Sequence, residues 1–303
     1  MEVKNYAAQV ESYMNNITLK AFSPRLAGLR EDLRKSVIDI TNAIHFEMPD
    51  NGRILDDELH GLDGVELRLP FPTITIAYDR TVQGETGRTL VVAKELINPP
   101  EATHIAKKLE VALTDEQVWI DITVYDYFKS NGYWSPSLVH SLIPSSEWEL
   151  LKTTETKSKK LRLQNMPCVW HRDLDLAGDD EQLHGAQAVT IRAARAVLDF
   201  IEALSCSNVT HEAVNSPDAA VNARRVRKGK TPINEVRTLV ITAGDSATSI
   251  GIGGHRGPGV KQHLCRGHIR RHPTAGNIWI NSHVRGNASL GVIEKNYDIR
   301  KAA

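Results

Sequence analysis

Three stretches between Val65 and Phe128 most constrain the fold. VELRLPFPTITIAY, GRTLVVAKEL and QVWIDITVYDYF are dense in β-branched and aromatic residues, the types that fit a pleated, half-buried surface. The first alternates apolar and polar side chains from Val65 to Tyr78, which is the period of a strand with one buried face. Such strands must pair and bury that face, so this part of the chain is committed to a sheet. Pro70 and Pro72 lack the amide hydrogen that a central ladder uses, so the first stretch is an edge strand or a strand with a break. Between the second and third stretches, THIAKKLEVAL reads as a short helix.

Helices flank this region. In SPRLAGLREDLRKSVIDITNAI, Ser23 caps the start and Pro24 fits the first helical position. Leu26, Leu29, Leu33, Val37 and Ile40 then recur at three- and four-residue steps, one apolar stripe against a core. MPDNG ends it with turn chemistry. Residues 1–20 form a helix or a loose arm. AQAVTIRAARAVLDFIEALS is rich in strong helix formers and covers a sheet face. The expected class is α+β, with helices packed on an antiparallel sheet over residues 1–208. The polar run SCSNVTHEAVNSPDAAVNA reads as a linker or long loop over 209–222. From 223 to 303, EVRTLVIT, HLCRGHIRR, NIWINSHV and GVIEKNYDIR are short strand candidates between glycine-rich turns. They imply a small antiparallel, barrel-like domain.

The net charge is zero, and that value hides a strong asymmetry. Residues 1–220 hold 22 Lys and Arg against 33 Asp and Glu, a net of −11, and residues 221–303 hold 15 against 4, a net of +11. A difference this large points to a polyanion-binding C-terminal part, or to two halves that neutralise each other. No stretch approaches the roughly 20 apolar residues of a membrane span, and the N-terminus lacks a secretory pattern. Cys168, Cys206 and Cys265 are odd in number and far apart, so they form no disulfide framework and fit reduced thiols in a cytoplasmic compartment.

HLCRGHIRRHPTAGNIWINSHVRG concentrates histidine, cysteine and arginine. His263, Cys265, His268 and His272 carry zinc-ligand atoms. On a single strand over 263–270, however, His263 and Cys265 face one side and His268 the other, and Arg266, Arg270 and Arg271 repel a dication. The acidic run around Asp173, Asp175, Asp179, Asp180 and Glu181 does not follow calcium-loop spacing. GIGGHRGPG lacks the ending of a phosphate loop, and no nucleophile-elbow motif occurs. Neither a metal nor a cofactor is expected.

Nucleic acid is the best-supported partner class. RRVRKGKTP places Arg224, Arg225, Arg227, Lys228 and Lys230 within seven residues. Arg256, Arg266, Arg270, Arg271 and Lys295 add to them, and each neutralised phosphate releases counterions. Trp279 and Tyr297 offer stacking on unpaired bases, which favours RNA or a single strand. A sharper alternative is a metal-independent nuclease. His255, His263 and His268 would act as acid and base and Tyr297 as a further proton donor, with the cations stabilising the developing charge. A third reading is an inhibitor that binds a host or defence protein through its acidic N-terminal part.

These residues also carry a resemblance. Asn222, Arg225, Gly229, Lys230 and Pro232, then His255, Pro258, His263, Gly267, His268 and Arg270, then Trp279, Gly291, Val292, Lys295 and Tyr297 follow one pattern. It reads N-x-x-R-x-x-x-G-K-x-P, H-x-x-P…H-x-x-R-G-H-x-R, W and G-x-V-x-K-x-Y. The pattern resembles the C-terminal motif of an uncharacterised group of bacteriophage and prophage proteins, with Cys265 where arginine is usual. The resemblance covers about a quarter of the chain. It implies a viral setting in a bacterial cytoplasm and an effector role against host or defence machinery, and it argues against an essential role for Cys265.

Overall fold

The computed structural model describes residues 3–19, 27–54, 67–109, 113, 115–137, 139–145, 148–149, 160–161, 168–171, 180–241, 261–265, 268–272, 274, 276–280, 283–285 and 287–292. Two helices open the chain, α1 (Tyr6–Leu19) and α2 (Ala27–Asn42), followed by the short strand β1 (Ile44–Glu47). The three β-rich stretches become β2 (Thr73–Val82), β3 (Glu85–Ile97) and β4 (Val118–Tyr127), with helix α3 (Pro100–Leu109) between the last two. Then come β5 (Trp134–Pro136), β6 (Val139–Pro144), β7 (Trp148–Glu149), β8 (Lys160–Leu161) and β9 (Cys168–His171). The long helix α4 (Asp180–Leu204) leads to β10 (Val209–Ala213), α5 (Ala219–Arg227) and β11 (Val236–Ile241).

Nine of these strands join in one sheet of order β10-β11-β1-β2-β3-β4-β6-β9, with β5 paired to β4. The sheet is mixed, not antiparallel as the alternation implied. Strand β1 runs parallel to both β2 and β11, while β2, β3, β4, β6 and β9 alternate in direction. The four-residue β1 joins these two sets and carries too little pattern to be read from sequence. The prolines act as a break: β2 starts at Thr73, after Pro72, and then lies centrally between β1 and β3.

Helices cover both faces. Tyr6, Ala7, Val10 and Met14 of α1 and Val37 and Ile40 of α2 pack with Ala77, Leu90, Val92 and Tyr125 of one sheet face. On the other face, Phe200 of α4 meets Phe46 edge-on at 4.7 Å. Gly52, at φ +63°, lets the backbone sit against Tyr78 and Ala196, where a Cβ would lie 2.8 Å from the Tyr78 ring. Burial of a side chain the size of Phe200, fully enclosed, contributes roughly 1.5–3 kcal/mol. Leu29 and Leu33 fall within α2, but their side chains lie outside the described residues, as do Ser23, Pro24 and Leu26. Among the described residues no helix is long and apolar enough to cross a membrane.

The chain divides into two compact units. One comprises 1–201 with 211–238, and the other 202–210 with 239–303. The expected linker at 209–222 therefore carries ordered elements, β10 and the start of α5. The basic run 224–230 belongs to the first unit. Redistributed this way, the first unit holds 28 basic and 33 acidic residues and the second 9 and 4, so the asymmetry falls to −5 against +5.

In the second unit, β12 (Lys261–Cys265), β15 (His283–Arg285) and β16 (Asn287–Val292) form a three-stranded sheet, with β12 parallel to β16. Strands β13 (His268–His272) and β14 (Gly276–Ile280) form a separate hairpin.

Candidate nucleic-acid interface

Helix α5 buries no residue. Nine residues are too few for a stable isolated helix, so its ends and side chains must hold it. Asp218 caps the start, its carboxylate accepting from the amides of Ala220 and Val221 at 2.7 and 3.4 Å. At the other end the Lys230 amide donates to Arg225 O and the Gly229 amide to Val226 O, both at 2.9 Å. This paired closure needs a left-handed residue after the cap, and Gly229 supplies it at φ +65°.

Side chains then tie the helix to the segment that follows. Asn222 Nδ2 donates to Ile233 O at 2.8 Å, and its Oδ1 accepts from Ile233 N at 2.8 Å. Arg225 Nε donates to Thr231 O at 2.8 Å. Asn215 grips the same segment, donating to Asn234 O at 2.9 Å and accepting from Val236 N at 2.7 Å. Asn5 accepts from Asn234 N at 3.3 Å. Residues 218–234 thus form a braced prong between β10 and β11, exposed along α5.

The prong presents cations. Arg224, Arg227, Lys228 and Lys230 are exposed. Arg224, Arg227 and Lys228 lie at i, i+3 and i+4, on one helical face. Cations in the last turn favour the negative end of the helix dipole, whereas like charges four apart repel by a few tenths of a kcal/mol. A bound polyanion removes that repulsion. Arg225 is different: half-buried and bonded to Thr231, it positions the prong.

The other expected site residues distribute unevenly. His263 lies on β12 opposite Arg285, and His268 on β13 opposite Ile280. The single strand expected over 263–270 is therefore two strands in separate sheets, and the argument from opposite faces of one strand no longer applies. Arg270 is exposed on β13. Trp279 is half-buried on β14, and its amide and carbonyl both bond the side-chain amide of Asn208, at 2.8 and 2.9 Å. Ile269 pairs with Trp279 and Arg270 with Ile278, so strand alternation sends Arg270 and Trp279 to opposite faces of the hairpin. Arg271 belongs to β13, with its side chain outside the described residues. His255, Arg256, Arg266, Lys295 and Tyr297 lie wholly outside them, as does the glycine-rich loop. Among the described residues no group of three His, Cys, Asp or Glu is placed to hold a metal ion.

The polar network inside the first unit has no signature in residue spacing. Arg80 Nη2 donates to Asp126 Oδ2 at 2.8 Å, Thr89 Oγ1 donates to Asp126 Oδ1 at 2.7 Å, and the Arg80 guanidinium lies 5.0 Å over Phe128. Burial raises the Asp126 pKa, and Arg80 opposes it. A cavity of about 40 Å³ lined by Tyr78, Arg80, Thr89 and Arg192 adjoins this pair. His45 is a second buried polar group. Desolvation lowers its pKa to about 4, so the ring is neutral at neutral pH, with Nδ1 2.8 Å from Thr75 Oγ1.

Compared with protein-family models, curated proteins and solved structures, the chain matches none.

Proposed function

We propose that this protein binds nucleic acid, RNA or a single strand in preference to a duplex, with the α5 prong as a principal phosphate contact. The observation that carries the reading is the exposed set of Arg224 and Arg227 on a helix that buries nothing, Lys228 at its cap and Lys230 just beyond. Its braces fix the backbone that carries the cations. A backbone ordered before binding lowers the ordering cost of binding. The motif residues Asn222, Arg225 and Gly229 are the same ones that brace the prong, which supports reading the motif as a binding element.

The second unit, with a net charge of +5, supplies further cations, Arg270 among them. A barrel-like closure of its strands belongs to this reading. So does the viral setting: an effector in a bacterial cytoplasm, acting on host or defence machinery. Mobility shift of labelled RNA, single-stranded DNA and duplex over a salt series tests the proposal. Binding at low salt that weakens steeply as salt rises supports it, and no binding at low salt removes it. The same incubation reports cleavage, the outcome that would favour the histidine-based nuclease.

A further inference from the structure

Beside the prong lies a groove of about 300 Å³. Ile44 and His45 of β1 contribute to its lining, as do Ile233, Asn234, Glu235 and Arg237 on the approach to and start of β11. Ile233 is the residue gripped by Asn222, and it follows Lys230 by three positions. The groove and the cations are thus parts of one braced segment. We propose that the groove seats one unpaired nucleobase of a strand whose phosphates lie on Arg224, Arg227, Lys228 and Lys230. This rests on the nucleic-acid reading of the prong.

The chemistry matches a base. The volume falls in the range of small-molecule sites. Ile44 and Ile233 offer apolar surface to ring faces. The Arg237 guanidinium is held by Glu235 at 2.8 Å and by His211 Nδ1 at 3.2 Å, and such a plane stacks on a base. His45 touches the groove only along β1: its pairing with Val236, and that of Phe46 with Arg237, put its ring on the sheet face opposite Arg237, where Nδ1 bonds Thr75. A base stacked inside a duplex presents no free face, so the groove selects unpaired strands. The occupant is a nucleotide and not an uncharged small molecule because Ile233 of the lining follows the exposed Lys230 by three residues on the segment that Asn222 and Arg225 brace.

The test is fluorescence anisotropy of the full chain with a labelled 12-nucleotide single-stranded RNA and an abasic strand with the same number of phosphates. Ile233→Trp fills the groove while keeping the backbone bonds to Asn222, and Arg237→Lys keeps the charge but removes the stacking plane. Wild type is expected to bind the base-bearing strand about tenfold tighter than the abasic one. Ile233→Trp and Arg237→Lys should both bring that affinity down to the abasic level and leave abasic binding unchanged. Equal wild-type affinity for the two strands overturns the groove proposal and leaves the prong reading standing. Discrimination that survives in both variants also overturns it. Failure of wild type to bind either strand at low salt overturns both.

Discussion

The side-chain amide of Asn222 holds both backbone groups of Ile233, donating to its carbonyl and accepting from its amide, each at 2.8 Å. This is the pairing a neighbouring strand would supply, made by one side chain. Its removal in Asn222→Ala leaves two half-buried backbone groups without their partner, at a cost of about 1–3 kcal/mol. Amide hydrogen exchange should show Ile233 losing protection while core amides such as Val91 keep theirs. RNA affinity should fall several-fold although no cation has been removed. Unchanged exchange at Ile233 would contradict the brace.

Asp199 is fully buried, bonded to Arg53 Nε at 3.0 Å and to the Ile54 amide at 3.2 Å. It ties the segment after β1 to α4. Asp199→Ala takes a fully buried carboxylate acceptor from the Ile54 amide and from Arg53, and losing a hydrogen bond to a charged group costs about 1.5–3 kcal/mol. Urea unfolding should show the unfolding free energy fall by that amount through a lower midpoint at unchanged slope.

His45 makes stability depend on pH. Its folded pKa of about 4 lies below the ordinary value near 6.5, so the unfolded chain binds more protons between those limits. This contribution to stability is complete above pH 6.5 and is lost as pH falls toward 4, up to about 3 kcal/mol in all. His45→Gln should flatten the wild-type slope over that window. A slope identical in the two proteins would assign the acid sensitivity elsewhere.

Cys206 is buried, and desolvation together with nearby Glu202 raises its thiol pKa to about 11. Little thiolate exists at neutral pH, so alkylation should be slow in the native state. Peptide-resolved mass spectrometry should find Cys206 modified by iodoacetamide only once the protein is unfolded.

The legible parts of the fold were those with a period. β2, β3 and β4 announced themselves by β-branched density, and α4 by helix formers. β10 was hidden because Thr210, Glu212 and Ala213 are exposed at the sheet edge, so it has no apolar alternation. α5 was hidden for the same physical reason: a helix that buries nothing has no stripe. At the candidate site, composition revealed the cations. The asparagines that position them were not legible as braces, because Asn215 and Asn222 meet partners up to 21 residues away. Only the motif resemblance marked Asn222, and it gave no reason.

The central claim is that the prong cations bind phosphate. The most direct test measures RNA affinity against salt for wild type and for a variant with Arg224, Arg227, Lys228 and Lys230 all changed to alanine. Each phosphate contact on a single strand contributes about 0.7 to the slope of log affinity against log salt. The slope should therefore fall by about 2–3 in the variant, with its thermal unfolding close to that of wild type. A slope unchanged by removing all four cations would contradict the account.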